Sequence, residues 1–494
     1  MRRTNFVPMM RIMIPYRRWV FRILVSVFFC VQWALAEEQI PGFHSFEIEG
    51  HGAIQHVFAG DFDGDSLTDL CLVICRSDAS EPIRQLQLFY QQRNGLRKHC
   101  DACLNLPSSA IGVDFDDING NNIDEIILLM QNGLFQWQPS ACDSSQLIPL
   151  VGEQYSLYAA HPTILFHIPF ILKDKNNAQL LWATVEENKC YRQEGDKFIL
   201  SRVLPRMMDH KFVHEAMVYP VPSMVFSKNS DDLDSDIWQY SGDMITAFSP
   251  DEESPAFVWQ AASSFEDRSI QPLQSSKLKI ELIDLNHDDR QDVVVTQAVR
   301  GGVASHISHM QFYHNTSGRL AETPEQVVLT DNVHGEHVFC DLNHDDYPDL
   351  LVFELNVTFP QAIRFLLTGK VTVGFDVYMN QSGLFPSKPD QTIRWHLPVS
   401  LDEMILAPYD GFSVEGDLNG DGHQDLFAKI DDDIYMMVPG SETGFLNMDQ
   451  KTYYHFPGQS QFVLKDFNHD NSDDILFYTS NDASHNHVII YLSQ

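Results

Sequence analysis

The chain has 494 residues and carries 68 acidic residues against 33 lysines and arginines, a formal net charge of −35. Such a length suffices for several ordinary domains or for one large repeat fold. The strongly negative field repels phosphate backbones and anionic lipid, which argues against nucleic acid as a partner and raises the question of which cations neutralise the surface.

The first 36 residues have the pattern of a secretory signal peptide. Five arginines before residue 19 precede an apolar stretch from Ile23 to Ala36, which closes on the A-x-A cleavage pattern at Ala34 to Ala36. An uncleaved membrane anchor fits less well, because the 18 residues from Trp19 to Ala36 include Arg22 and fall short of the ~20 apolar residues of a spanning helix. We therefore predict one secreted, periplasmic or cell-surface domain over residues 37–494, with no integral membrane segment. The signal holds six arginines and no acid, so cleavage takes the charge from −35 to −41.

Cleavage would leave seven of the eight cysteines, and an odd number in an exported protein leaves at least one thiol unpaired. Cys71 and Cys75 lie four residues apart in a predicted strand, about 13 Å, which is too far for a disulfide. Cys100 and Cys103 could form a local disulfide. A thioredoxin-like site and a zinc site are both disfavoured, because neither that fold nor a second ligand pair is evident.

One nine-residue pattern, D-x-[DN]-x-[DN]-x-x-x-[DE], recurs six times, each time after an apolar strand and before an aliphatic run. The copies begin at Asp61, Asp117, Asp284, Asp341, Asp417 and Asp466. The intervals between them are 56, 167, 57, 76 and 49 residues, and two degenerate copies, near Asp174 and within 230–236, would fill the long interval. Eight units of this length indicate a propeller or a solenoid.

The units are rich in short strands with turn residues between them, which is typical of four-stranded antiparallel blades. The last unit has only about three strands before the chain ends, whereas an unassigned strand, Phe43 to Ile48, precedes the first unit. We expect this N-terminal strand to complete the last blade and close the ring, which removes free sheet edges. The predicted fold is an all-β propeller of seven or eight four-stranded blades, with eight units counted.

The repeated loop is suited to calcium, which takes six to eight hard oxygens at about 2.4 Å. A tight loop can direct the side chains at positions 1, 3 and 5, the carbonyl of position 7 and the carboxylate of position 9, which can be bidentate, toward one centre. An EF-hand is excluded, because position 12 is apolar in all six copies and the flanks are strand-like. A metal-free turn is the alternative for one loop alone. Six copies with an acid at position 9 favour a metal, since clustered carboxylates repel one another without a cation.

All the predicted ligands are oxygens, which favours calcium over zinc or copper. We predict about six structural Ca²⁺ sites, the second being the weakest because two asparagines replace acids there. The predicted ligands are Asp61, Asp63, Asp65, Leu67 and Asp69; Asp117, Asn119, Asn121, Ile123 and Glu125; Asp284, Asn286, Asp288, Arg290 and Asp292; Asp341, Asn343, Asp345, Tyr347 and Asp349; Asp417, Asn419, Asp421, His423 and Asp425; and Asp466, Asn468, Asp470, Ser472 and Asp474. Position 4 is His287, His344 or His469 in three loops, and we interpret these as turn residues that point away from the metal.

The copies resemble the FG-GAP and VCBS repeats of integrin-α head domains and of many exported proteins, and the copy from Asp417 to Leu426 matches the family consensus closely. The resemblance covers roughly residues 40–494. It implies a seven- or eight-bladed propeller with calcium in the loop between the first two strands of most blades. Seven is the usual count in the family, whereas the units of this chain favour eight. The Phe-Gly…Gly-Ala-Pro signature is not evident, which favours the VCBS-like branch over an integrin-specific function.

Because repeats account for the whole chain, the leading hypothesis is a secreted calcium-binding propeller that acts as a protein- or glycan-binding or adhesion module. One alternative is a polysaccharide lyase or glycosidase on the same fold. Its candidate residues are scattered: His161, His167, His210, His214, Asp376, Trp395 and His396. Another alternative is a cell-surface assembly scaffold, with glycosylation sequons at Asn315, Asn356 and Asn380. The sector at about 150–275, which lacks clear calcium loops, is where we expect features that distinguish this propeller.

Overall fold

The computed structural model describes residue 40 and residues 42–493, except for 77–81, 93–94, 140–145, 155, 175–176, 185, 196, 206–210, 214–215, 219–222, 228–235, 242, 250–254, 262–270, 273–277, 301–305, 317–318, 331–336, 356–364, 366, 399–410, 432, 459–460 and 480–486. The predicted signal peptide and Cys142, His210, His214 and Asn356 therefore lie outside the described residues. The six described cysteines form no disulfide, so the local Cys100–Cys103 bridge that their spacing allowed is not made.

The fold is an eight-bladed propeller of four-stranded antiparallel sheets, numbered here as blades 1 to 8 in chain order. Blade 1 comprises Ala53–Gly60, Asp69–Arg76, Ile83–Phe89 and Ala102–Asn105. Blade 2 comprises Ala110–Asp116, Glu125–Met130, Gly133–Gln138 and Gln146–Gly152. Blade 3 comprises Ile171–Asp174, Asn177–Ala183, Glu187–Glu194 and Lys197–Pro205. Blade 4 comprises Ser223–Ser227, Asp236–Ser241, Met244–Phe248 and Phe257–Gln260.

The second half of the chain repeats the same architecture. Blade 5 comprises Lys279–Ile283, Asp292–Arg300, His306–Tyr313 and Gln326–Thr330. Blade 6 comprises His337–Cys340, Asp349–Leu355, Lys370–Tyr378 and Gln391–Pro398. Blade 7 comprises Phe412–Gly416, Asp425–Lys429, Ile434–Val438 and Thr452–His455. Blade 8 comprises Gln461–Lys465, Asp474–Tyr478 and His487–Ser493, and its fourth strand is Phe43–Glu49 from the N-terminal end of the domain.

Short elements lie outside this plan. They are the hairpins Gln91–Gln92 with Gly95–Leu96 and Lys211–Val213 with Ala216–Val218, the 3₁₀ helix Met448–Gln450, the strand Gln271–Pro272 at blade 5 and the strand Phe166–His167 at blade 2. In the part of the chain described by the structure, no helix is both long and apolar enough to cross a membrane.

Blade 8 closes the ring, as the sequence predicted. Phe43–Glu49 runs antiparallel to His487–Ser493, with Phe43 opposite Ser493 and Glu49 opposite His487. The first and last strands of the domain therefore lie in one sheet. We call this junction the seam, because strand pairing and not the continuing chain closes the ring there.

Apolar side chains join every blade to the next, which establishes that the ring has eight blades and not seven. Phe427 of blade 7 packs against Phe477 of blade 8, and Ile490 of blade 8 shares a core with Leu72 of blade 1. Equivalent clusters join the remaining neighbours around the ring. The second strands, such as Leu70 to Ile74, are continuous apolar runs because neighbouring blades cover both of their faces.

A segment between blades 2 and 3 adds a fifth strand to blade 2. Phe166–His167 pairs in parallel with the first strand of that blade, with Phe166 opposite Gly112. Residues of blade 1 hold the segment from the other side: Arg84 Nη1 donates to the carbonyl of Ile164 at 3.1 Å, and Gln55 Oε1 accepts from the amide of Leu165 at 3.0 Å. The segment therefore fastens blade 1 to blade 2 in addition to their shared apolar core.

Candidate metal centres

Each of the six Asp-rich loops joins the first strand of a blade to the second, in blades 5, 6, 7, 8, 1 and 2. We name each loop by its blade. Positions 4 and 6 have a left-handed backbone in all six loops, with φ between +54° and +84°. Glycine, asparagine, aspartate and histidine are the residues that tolerate this conformation best. This requirement accounts for His287, His344 and His469 at position 4, where three other loops have glycine.

The aspartate at position 1 organises the loop around its carboxylate. Its Oδ2 accepts a hydrogen bond from the backbone amide of position 6 in every loop, at 2.7–3.0 Å. In loop 6, for example, Asp341 Oδ1 accepts from the amide of Asp345 at 3.1 Å and Oδ2 accepts from that of Asp346 at 2.9 Å. In loop 2, burial acts to raise the pKa of Asp117, but four backbone amides together lower it.

Positions 3 and 5 repeat one smaller motif. The oxygen of position 3 accepts from the amide of position 5 at 2.9–3.2 Å, and the oxygen of position 5 accepts from the amide of position 7 at 2.8–3.0 Å, in all six loops. In loop 1 the carboxylate oxygens of Asp61, Asp63 and Asp65 converge to within 4.8 Å of one another. Burial is the main cause that raises the pKa of Asp63, and the two neighbouring carboxylates add to it.

The acid at position 9 is the first residue of the second strand and is buried in all six loops. One of its oxygens accepts from the amide of position 2, at 2.8–3.1 Å. In the five loops with aspartate, the other oxygen accepts an amide hydrogen at or just beyond the end of the third strand, at 2.7–2.9 Å. In these five blades position 9 therefore ties three segments together. In four of them each carboxylate oxygen keeps one further lone pair for a metal, whereas Asp474 Oδ1 also accepts from the Ser493 hydroxyl at 3.1 Å.

Burial raises the pKa of these position-9 carboxylates far above the usual range of an aspartate, although the backbone amides oppose the shift. The pKa is raised to about 7 in Asp69, Asp349 and Asp425, and to about 6 in Asp292 and Asp474. Burial also raises the pKa of Glu125. A desolvated carboxylate of this kind is stabilised in its charged form by a cation.

The donor set fits a hard divalent cation. Each loop offers oxygens only, and each includes a desolvated acid that lacks a full counter-charge. These are the properties of calcium ligands. The residues of positions 1, 3, 5, 7 and 9 would hold the ion, and the ion would neutralise the acids and fix the loop between two strands.

Side-chain hydrogen-bond donors already face the acids in four loops, 2, 5, 6 and 8, and they differ in kind. In loop 2 the side-chain amides of Asn119 and Asn121 both donate to Glu125 Oε1, the latter at 3.5 Å. In loop 5, Arg290 Nη1 lies 3.4 Å from Asp288 Oδ2 and also donates to the carbonyl of Thr316 at 3.1 Å. The six sites are therefore not equivalent.

The sector for which the sequence predicted no clear Asp-rich loop corresponds to blades 3 and 4. In blade 3, Asp174 pairs directly with Asn177, so only two residues connect the first strand to the second. This connection is too short for a nine-residue metal loop. The candidate within 230–236 of blade 4 lies, except for its last residue, outside the described part of the chain.

The residues proposed for an enzyme do not converge where the structure describes them. His161 and His167 lie on the inserted segment beside blade 2, where His167 Nε2 is 3.5 Å from Asp114 Oδ1. Asp376, Trp395 and His396 lie on the third and fourth strands of blade 6. The two groups therefore belong to separate parts of the ring.

Two of the three sequons are buried. The asparagine side chains of Asn315 and Asn380 are 0% and 4% exposed. The Asn380 amide donates to the carbonyls of Leu285 and Pro348 at 2.9 and 3.0 Å, and its Oδ1 accepts from the amide of Gly383. Neither asparagine can carry a glycan in the folded chain.

A polar pocket of about 840 Å³ lies between blades 2 and 3, and no sequence motif marked it. Its lining residues are Asn132, Gly152, Glu153, Gln154, Thr184, Glu186, Glu187 and Lys189. The Lys189 ammonium group lies 3.0 Å from both oxygens of Glu153. Since successive strands are antiparallel, the turns between second and third strands that form this pocket are at the opposite end of the blades from the Asp-rich loops.

No protein-family model and no curated protein matches the chain. Among solved structures, it is similar to an Agrocybe aegerita lectin described by its recognition of non-reducing terminal N-acetylglucosamine, with 13% identity, coverage of 82% of this chain and 90% of the lectin, and a TM-score of 0.43. The propeller of Dos1 has 10% identity, 92% and 95% coverage and a TM-score of 0.39. The Nup133 β-propeller domain of Vanderwaltozyma polyspora has 10% identity, 85% and 100% coverage and a TM-score of 0.36. What the described geometry itself establishes is an eight-bladed β-propeller with six Asp-rich loops that share one backbone geometry.

Proposed function

We propose that the chain is a secreted calcium-binding β-propeller, stabilised by about six calcium ions, that binds a partner protein or glycan. The observation that carries the calcium proposal is the repetition of one loop geometry six times, each with a buried acid at position 9. Such a pattern of oxygens is expensive to maintain without a cation. The similarity of the loops to FG-GAP and VCBS repeats supports the same proposal.

Calcium would be structural in these sites. The acid at position 9 is bonded both to its own loop and, in five blades, to the end of the third strand, as Asp349 is to the amides of Leu342 and Asn380. An ion held by this acid and by positions 1, 3 and 5 would therefore fix the first three strands of a blade relative to one another.

Two features of the described fold support the binding role. The described strands belong almost entirely to the eight blades, and the candidate enzyme residues do not form one site. The polar pocket between blades 2 and 3 is a concave surface on the face away from the metal loops, next to the sector that lacks them. We propose this face for contact with the partner.

Thermal unfolding with calcium and with excess EDTA tests the structural role. Each site saturated at one hundred times its dissociation constant contributes about 2.7 kcal/mol. We therefore expect a large fall in the unfolding midpoint in EDTA, with recovery when calcium is restored. An unchanged midpoint would refute structural calcium. Arrays of glycans and candidate proteins, probed in calcium, test the binding role, and turnover of any polysaccharide would contradict a pure binding module.

A further inference from the structure

Neighbouring Asp-rich loops contact one another through position 8. In blade 2 this residue is Asp124, and its Oδ2 accepts from the backbone amide of Asp61, position 1 of loop 1, at 3.1 Å. The amide of Asp124 in turn donates to the carbonyl of Asp61 at 2.7 Å. This reciprocal pair of hydrogen bonds fixes the backbone of the residue whose side chain organises loop 1.

The same contact joins blades 7 and 8. Asp473 Oδ2 accepts from the amide of Asp417 at 2.7 Å, and the amide of Asp473 donates to the carbonyl of Asp417 at 2.6 Å. A glycine precedes position 1 in loops 1 and 7, the two loops whose position-1 backbone makes these bonds. A Cβ on Gly60 would collide with the Asp124 carboxylate, and a Cβ on Gly416 would lie 3.3 Å from Asp473 Oδ2 and 2.7 Å from Leu464 Cδ1. The glycines leave room for this approach.

A third contact joins the two pairs. Thr68, position 8 of loop 1, donates its hydroxyl hydrogen to the carbonyl of Asp466, position 1 of loop 8, at 3.3 Å. Loops 7, 8, 1 and 2 therefore form one row that spans blade 8, where the N-terminal strand Phe43–Glu49 pairs with His487–Ser493.

The row of position-8 hydrogen bonds stops between blades 6 and 7, where the rings of His344 and His423 are the contact between the loops, with centroids 6.0 Å apart. Position 8 of loop 7 is Gln424, and its buried Oε1 has no hydrogen-bond partner in the described structure. Loops 5 and 6 are joined in another way, through the Asn380 side chain, which bonds to a carbonyl of each loop. Gln424 thus occupies the same place as Asp473 without making the equivalent bond.

We propose that the calcium sites of blades 7, 8, 1 and 2 form one cooperative unit that locks the closure of the ring. The proposal rests on the proposed function, since it needs calcium in these loops. Binding at one loop orders its position 1, and the position-8 residue of the next loop is bonded to that same backbone. Calcium binding that orders one loop therefore also orders its neighbours along the row and across the seam. Loops 5 and 6 bind calcium separately from this row.

The test is hydrogen–deuterium exchange of the full chain during a calcium titration, with mass spectrometry that reads each loop and the two seam strands. We expect one shared midpoint for loops 7, 8, 1 and 2, with protection of 43–49 and 487–493 rising in parallel. Asp473→Ala removes a bond to a charged acceptor and should move the loop 7 midpoint about tenfold higher. Asp473→Asn keeps an acceptor oxygen and should restore most of the coupling, and Gln424→Ala, at the matched position, should leave the loop 6 and loop 7 midpoints in place.

Thr68→Val is a second, nearly isosteric substitution that removes the hydrogen bond between loops 1 and 8. It should separate the calcium midpoints of loops 7 and 8 from those of loops 1 and 2. It serves if Asp473→Ala does not fold. Four independent midpoints in the wild type, or midpoints that neither Asp473→Ala nor Thr68→Val changes, would overturn the coupling while leaving calcium binding intact. Exchange that is insensitive to calcium in every loop would instead overturn the proposed function itself.

Discussion

Arg290 gives loop 5 a cation of its own, and its removal should strengthen calcium binding there. Its Nη1 lies 3.4 Å from Asp288 Oδ2, and the two side chains are only 19% and 31% exposed. An ion held by Asp288 at about 2.4 Å would lie within about 6 Å of this nitrogen. At that distance a double and a single positive charge repel by about 1.4 kcal/mol even with the dielectric constant of water. This repulsion corresponds to about a tenfold loss of affinity.

We therefore expect Arg290→Gln to lower the calcium midpoint of loop 5 about tenfold. Tyr347 is the matched position in loop 6, so Tyr347→Arg should raise the midpoint of that loop by a similar factor. Both residues offer only a backbone carbonyl as a predicted ligand, so neither change removes a ligand. Arg290 also donates to the carbonyl of Thr316. Unfolding in EDTA measures the cost of losing that bond apart from the effect on calcium.

Calcium titration followed by hydrogen exchange of the peptides that contain 284–292 and 341–349 separates the two loops. Loop 6 is the internal control for Arg290→Gln, and loop 5 is the control for Tyr347→Arg. The shifts should shrink as salt rises, to the extent that solvent reaches the charges. A loop 5 midpoint that stays in place or rises in Arg290→Gln would refute the electrostatic reasoning.

Three further predictions concern other residues. Gly120→Ala should destabilise the fold by about 1–2 kcal/mol, which is the cost of the left-handed backbone alone, because φ is +76° and the new Cβ meets nothing within 4 Å. Gly420→Ala should cost more, since its Cβ would also collide with a serine hydroxyl. Equal free-energy costs of the two variants in denaturant unfolding would contradict this prediction. Burial lowers the pKa of His56 below 6.5, so the folded chain binds fewer protons than the unfolded chain and loses stability as pH falls from 6.5 toward that lowered pKa. In urea unfolding at several pH values, His56→Gln should reduce this loss of stability, whereas His51→Gln, at an exposed site, should not. An unchanged pH dependence in His56→Gln would count against the prediction. Asn121→Asp adds a carboxylate to loop 2 and should lower its calcium midpoint severalfold by calorimetry; a raised midpoint would show that the added charge does not face the ion.

Features set by local chemistry could be predicted from the sequence. The nine-residue loops, the strands after them and the count of eight units all follow from turn residues and apolar runs within one stretch of chain. The closing strand was predictable as well, because the last blade lacked one strand and Phe43 to Ile48 had no other partner. The unit count favoured eight blades over the seven that are usual in the resembled family, but the pairing of the strands decided between them.

Contacts between distant segments could not be predicted. The amide that binds the position-9 acid comes from a residue 15 to 31 positions later, as in the bond from Asn380 to Asp349. Nothing in the local pattern indicates which residue this is. The two-residue connection after Asp174 and the inserted strand Phe166–His167 likewise depend on how neighbouring strands pair.

The two buried sequons show how a structural repeat can imitate a modification signal. The chain reads Tyr-His-Asn-Thr-Ser-Gly around Asn315 and Tyr-Met-Asn-Gln-Ser-Gly around Asn380, just after the third strands of blades 5 and 6. In both places the backbone N–H of the asparagine donates to the position-9 aspartate at 2.7 Å. The side chain of Asn380 then bonds to the carbonyls of two neighbouring loops. The same triplet recurs because, in both blades, this segment must donate a hydrogen bond to a buried carboxylate and turn the chain. These asparagines therefore belong to the framework of the Asp-rich loops, and their resemblance to glycan acceptors follows from the small polar residues that such a turn requires.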